Sequence, residues 1–84
     1  MTRYTVSWVR SAQDELADLW LNVLDRSAVT AATRVIDKEL GEDAPVKGRE
    51  LSEGLRSLFA PPLKVIFIVR EDDRIAEVLR VRCI

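Results

Sequence analysis

Residues 61–74 read PPLKVIFIVREDDR, and their alternation decides the fold. Side chains along a strand point to opposite faces in turn. Leu63, Val65, Phe67 and Val69 therefore share one face, and Lys64, Ile66, Ile68 and Arg70 share the other. Both faces are apolar in the middle. A chain of 84 residues has the apolar material to cover one side of such a sheet, which raises the question of what meets the second.

Working outward, Pro61-Pro62 and Asp72-Asp73 mark tight connections to neighbouring strands over 55–60 and 74–83. Connections this short join antiparallel neighbours. Upstream, residues 2–9 alternate as a strand, with Tyr4, Val6 and Trp8 on one side. Ser11 is the expected N-cap of a helix running to about Asp25, with Asp14 and Glu15 in its first turn and a stripe of Ala12, Leu16, Leu19, Trp20 and Val23. After a break at 25–27, Ser27 is positioned to cap a second helix with Ala28, Ala32, Val35, Ile36 and Leu40 on one face and Gly41 as its stop. Residues 41–54 are expected to be mostly loop. The order is β-α-α-β-β-β: a single α+β domain spanning 1–84, with a helix hairpin packed on one face of a small, mostly antiparallel four-stranded sheet.

Composition narrows the function. The net charge of −1 gives no global attraction to nucleic acid or an anionic membrane. The distribution is uneven: residues 54–84 carry six basic and four acidic side chains, whereas the preceding part carries seven and ten. With no histidine, the usual general base near neutral pH and the commonest metal ligand are missing, and no metal or other cofactor is expected. Glu71–Asp73 reads as a solvated turn. One cysteine, Cys83, excludes an internal disulfide and fits a reducing cytosol. Strand-like alternation from the first residues argues against a secretory leader, and no apolar run is long enough to cross a bilayer, so no membrane association is expected.

If the helices cover the Val65 and Phe67 face, Ile66 and Ile68 look out from the reverse with Lys64 and Arg70. In the last strand, alternation assigns Val78, Arg80 and Arg82 to that same side; Arg56 joins them if its strand keeps the phase. Scattered apolar side chains on a solvated face are the ordinary alternative. Here, however, the apolar positions are adjacent and ringed by cations, which suits an acidic, partly apolar partner. Ile66, Ile68, Arg70, Val78 and Arg80 are the expected partner-binding residues.

The chain resembles the bacterial RelE/ParE toxin family of type II toxin–antitoxin systems. The resemblance covers nearly the whole length and rests on YTVSWVRSAQDELADLW at 4–20 and KGRELSEGLRSLFAPPLKVIFIVREDDRIAEVLRVR at 47–82. It implies a small cytoplasmic toxin of a plasmid-stabilisation type, neutralised by a cognate antitoxin that covers what the helices do not. Family members differ in target. ParE-like toxins inhibit DNA gyrase by binding; RelE-like toxins cut mRNA on the ribosome. An inactive, toxin-like interaction protein is a further alternative.

Cleavage of RNA requires cations where charge builds on the phosphate. The resemblance assigns that role to Lys64, Arg56 and Arg82, and possible RNA contacts to Lys47 and Arg49. For each, a solvated cation that keeps the sheet soluble is the alternative. RNA-cleaving members often carry a tyrosine or histidine after the last strand; here the sequence reads Cys83-Ile84, and Phe67 stands where a tyrosine is common. Lysine at its ordinary pKa of about 10.4 is a poor base. These departures favour gyrase inhibition over catalysis. The edge strands also admit a homodimer or a strand-donating partner.

Overall fold

β4 (Leu63–Arg70) is the central strand of the sheet, flanked by β5 (Ile75–Cys83) and β3 (Leu55–Ala60). The computed structural model describes residues 3–23 and 25–84. Thr2, in the expected first strand, and Leu24, in the expected first helix, lie outside the described residues. Among those described, the sheet has five strands in the order β1-β5-β4-β3-β2, with β1 at Thr5–Trp8 and β2 at Arg49–Ser52. β1 runs parallel to β5, and the other pairings are antiparallel. The fold is thus the expected α+β class with one strand more than the sequence showed. β2 lies inside the segment read as loop, and all four of its residues are exposed, so it carries no apolar alternation to betray it.

Helices α1 (Arg10–Asn22) and α2 (Arg26–Asp43) lie against one sheet face. α1 begins one residue before Ser11, because β1 feeds straight into it: Val9 occupies the cap position without a side-chain bond, and Gln13 donates to the Trp8 carbonyl at 2.9 Å. Asp25, not Ser27, caps α2, accepting from the Ala28 amide at 3.0 Å. α2 passes through Gly41, whose carbonyl accepts from the Tyr4 amide at 2.9 Å. That glycine marks where the helix meets the entry to β1 and is not a stop. A short 3₁₀ turn, Ala44–Val46, leads out of α2. Gly48 then adopts φ +67°, and a Cβ there would lie 1.9 Å from the Ser57 carbonyl oxygen, so only glycine fits.

The core lies between helices and sheet. Val29, Ala32, Ile36 and Leu40 of α2 and Ala12 of α1 meet Leu63, Val65 and Phe67 of β4 and Ala76, Val78 and Val81 of β5. The β4 half of the opening prediction holds: Leu63, Val65 and Phe67 are fully buried, while Ile66 and Ile68 are half-buried on the reverse. The β5 half needs correction at Val78, which is fully buried and no part of the outer face. Register explains it. Ile66 pairs with Arg80 but Phe67 pairs with Val78, so Leu79 is an extra residue in a β-bulge. The bulge switches the phase: Ala76 and Val78 face the helices before it and Val81 after it, which leaves Arg80 and Arg82 outside.

Other core assignments shift less. Trp8 is half-buried against the core and donates Nε1–H to Asp37 Oδ1 at 3.0 Å. Trp20, expected inside, is 41% exposed, with the Arg26 guanidinium 4.5 Å from its ring centroid. Val35, read as part of the buried stripe of α2, is also exposed.

Candidate functional site

The outer sheet face is built from cross-strand rungs. Phe59, Lys64 and Arg82 form one; Ser57, Ile66 and Arg80 the next; Leu55, Ile68 and Glu77 the third; Arg70 and Ile75 the last. Arg49 joins this face through its pairing with Ser57. The structure therefore brings together Lys64, Ile66, Ile68, Arg70, Arg80 and Arg82, as the sequence indicated.

It separates Arg56 from them. Arg56 pairs with Phe67 and so lies on the helix side of the sheet. Its Nε donates to the Lys47 carbonyl at 2.9 Å, and its Nη2 approaches the Gly48 carbonyl at 3.4 Å. The guanidinium fastens the segment entering β2 and does not stand beside Lys64. The expected trio of Lys64, Arg56 and Arg82 is reduced to a pair. Lys47 is engaged as well: its Nζ lies 2.8 Å from Glu39 Oε2. That contact raises the Lys47 pKa and lowers that of Glu39, in each case chiefly through the hydrogen bond between them.

Electrostatics grade the face from one end to the other. Toward the β4–β5 turn, Arg70 pairs with Glu77 at 3.4 Å. In the middle, Arg80 reaches Glu15 of α1 at 3.5 Å. At the far end, Lys64 and Arg82 are exposed and directly opposite each other, and neither has an ion pair among the described residues. Like charges opposed across a strand pair repel, a cost that an incoming anion would relieve. Exposed Phe59 and Ile84 flank this end. With Leu51, Ser57 and Lys64 they line a shallow groove of about 340 Å³. The sequence reading did not include Phe59, Leu51 or Ile84. Phe59 was accessible to it, because it lies two residues from Ser57 in a strand already assigned.

A larger apolar groove of about 940 Å³ runs between the helices and β1, lined by Trp8, Leu16, Trp20, Leu21, Val29 and Arg34, among others. It lies across the sheet from the cationic face. Among the described residues no group of three His, Cys, Asp or Glu side chains could hold a metal, and no helix is long and apolar enough to cross a membrane.

No family model matches the sequence, and no curated protein sequence matches it significantly. Solved structures do match. The chain is similar to one in the toxin–antitoxin complex RelBE2 from Mycobacterium tuberculosis, with a TM-score of 0.82 and 18% identity, covering 100% of this chain and 94% of that one. It is similar to a chain of the chromosomal ParDE system from P. aeruginosa, with a TM-score of 0.68 and 21% identity over 98% and 97% of the two chains. A conserved hypothetical protein from Helicobacter pylori matches with a TM-score of 0.59 and 15% identity over 95% and 93%. The fold is RelE/ParE-like.

Proposed function

We propose that this chain is the toxin of a type II toxin–antitoxin pair, that a cognate antitoxin neutralises it on the outer sheet face, and that it acts in the cytoplasm by binding its target, as ParE-like toxins do with DNA gyrase. The observation that carries the proposal is the Lys64–Arg82 pair, opposed in register and flanked by exposed Phe59. An acidic segment with apolar side chains would quench the repulsion and cover the ring together, and this combination offsets the cost of ordering a disordered partner. That the similar chains come from a toxin–antitoxin complex and a ParDE system supports such a partner.

Binding is favoured over catalysis because Arg56 faces away from Lys64 and because the sequence offers no histidine. A second reading draws on the same pair of cations. Lys64 and Arg82 together could grip a phosphate, which suits ribosome-dependent cleavage of mRNA.

Induced expression tests both readings. Growth arrest is expected, with relief by the double variant Lys64→Glu, Arg82→Glu, and purified protein should inhibit supercoiling by purified gyrase. New mRNA ends in primer extension, lost in Lys64→Ala, with gyrase unaffected, would replace the first reading by the second. Unimpaired growth at confirmed expression would leave an inactive interaction protein.

A further inference from the structure

The two halves of β5 have different edges. Along Thr5–Trp8, β1 pairs with Ile75–Val78, and the Val9 amide extends the ladder by donating to the Val78 carbonyl at 3.0 Å. The chain then turns into α1, and β5 continues to Cys83 past the end of β1. The bulge at Leu79 resets the backbone phase, so it is the Val81 amide that points out of the sheet. Glu15 accepts from that amide: Oε1 lies 3.1 Å from the Val81 nitrogen, while Oε2 lies 3.5 Å from Arg80 Nη2. A side-chain carboxylate here stands where a neighbouring strand's carbonyl would stand.

We propose that the open half of β5, Val81–Cys83, is a strand-addition site for an extended acidic segment, and that Glu15 is its displaceable guard. An unpaired edge is a template for another strand, and folded proteins block such edges with charge or cover. Glu15 does both. Its hold is light, because an ion pair with Arg80 half-exposed contributes little. A strand carbonyl can take over the Val81 amide, and an acidic side chain on that strand can take over Arg80.

Charge selects the occupant. A strand lying beside β5 would place alternate side chains on the outer face next to Arg80 and Arg82, which favours acids there. Its intervening side chains would meet the flank of α1, where helical spacing sets Ser11, Asp18 and Asn22 beside Glu15, which favours uncharged polar residues. A second copy of this chain fits poorly: two β5 strands paired about a two-fold axis would oppose their own arginines. The proposal deepens the antitoxin reading and rests on it for the partner's identity alone, since the edge and its guard belong to this chain.

The test uses the full chain, isotopically labelled, titrated with a short capped peptide alternating glutamate with threonine. The peptide should shift the Val81 and Cys83 amides and leave those of Arg49–Ser52 in β2 unmoved. Glu15→Ala should speed Val81 amide exchange about tenfold and tighten peptide binding about fivefold, and bound peptide should restore slow exchange. If Glu15→Ala does not fold, Glu15→Gln keeps an acceptor for Val81 but frees Arg80, and should still tighten binding. Arg80→Glu with Arg82→Glu should abolish it. Equal binding of the lysine counterpart, shifts confined to β2, or no binding by either peptide would overturn the proposal. So would dimerisation of Glu15→Ala through β5. Growth arrest on expression is read separately, so a failed edge and a failed toxin reading are distinguishable.

Discussion

The two faces of β4 differ by one residue in position and by nearly everything in environment. Leu63, Val65 and Phe67 are fully buried beneath the helices, whereas Ile66 and Ile68, of the same apolar character, are half-buried on the reverse, beside Arg80 and Glu77 respectively. Composition does not set this difference; α1 and α2 cover one side only. The covered face holds the domain together, and the other is the face on which the proposed partner would dock.

Truncation on each side should separate the two roles. Phe67→Ala empties a packed site and should cost about 3–5 kcal/mol, a large part of a small domain's stability. Ile66→Ala should cost about 1 kcal/mol, because its site is already partly wet, yet should weaken binding of the proposed antitoxin. Denaturant midpoints of the two variants check the pair. Equal losses would mean that the outer face is a second core and not a docking surface.

Gly48 tests how the outer face is bounded. It holds φ +67° with no room for a Cβ beside the Ser57 carbonyl, and it sets β2 alongside β3. Gly48→Ala should cost roughly 3 kcal/mol, by strain and by loosening β2. Amide exchange in β2 should quicken more than in β4. Uniform quickening would show that β2 and the core unfold together.

The comparison of faces also shows how far local sequence carries. The inner and outer sets of β4 were legible because eight residues alternate without interruption against neighbours that cover one side. Arg56 and Val78 were misplaced for a different reason. A strand's period can be read from its own residues, but which phase faces the helices depends on pairing: Arg56 against Phe67, and Val78 before the bulge at Leu79. β2 was missed because four exposed residues carry no apolar period. Gly41 was read as a stop, whereas tertiary packing carries α2 through it. Of the candidate site, the Lys64–Arg82 end could be derived; the contact of Glu15 with the Val81 amide could not, since it joins residues 66 positions apart in sequence.

The smallest expected effect concerns two lysines, Lys64 on the outer face and Lys47 beside α2. Lys64 stands without an ion pair among the described residues, while Lys47 is bonded to Glu39 at the end of α2. The Glu39 pKa is lowered, so its contribution to stability is present above the ordinary carboxylate range and lost as pH falls through the lowered folded value. The Lys47 pKa is raised, so its contribution is present below the ordinary lysine range and lost as pH rises through the raised folded value. The bridge therefore acts across the neutral range and, being only partly buried, weakens in salt. Melting temperatures of wild type and Glu39→Gln should differ slightly at neutral pH and low salt, and converge in strong acid or concentrated salt. Lys64→Gln should show no such convergence, because it removes no bridge and relieves a repulsion; if its melting temperature falls at neutral pH, Lys64 is already satisfied within the fold and the cationic end is not waiting for an anion.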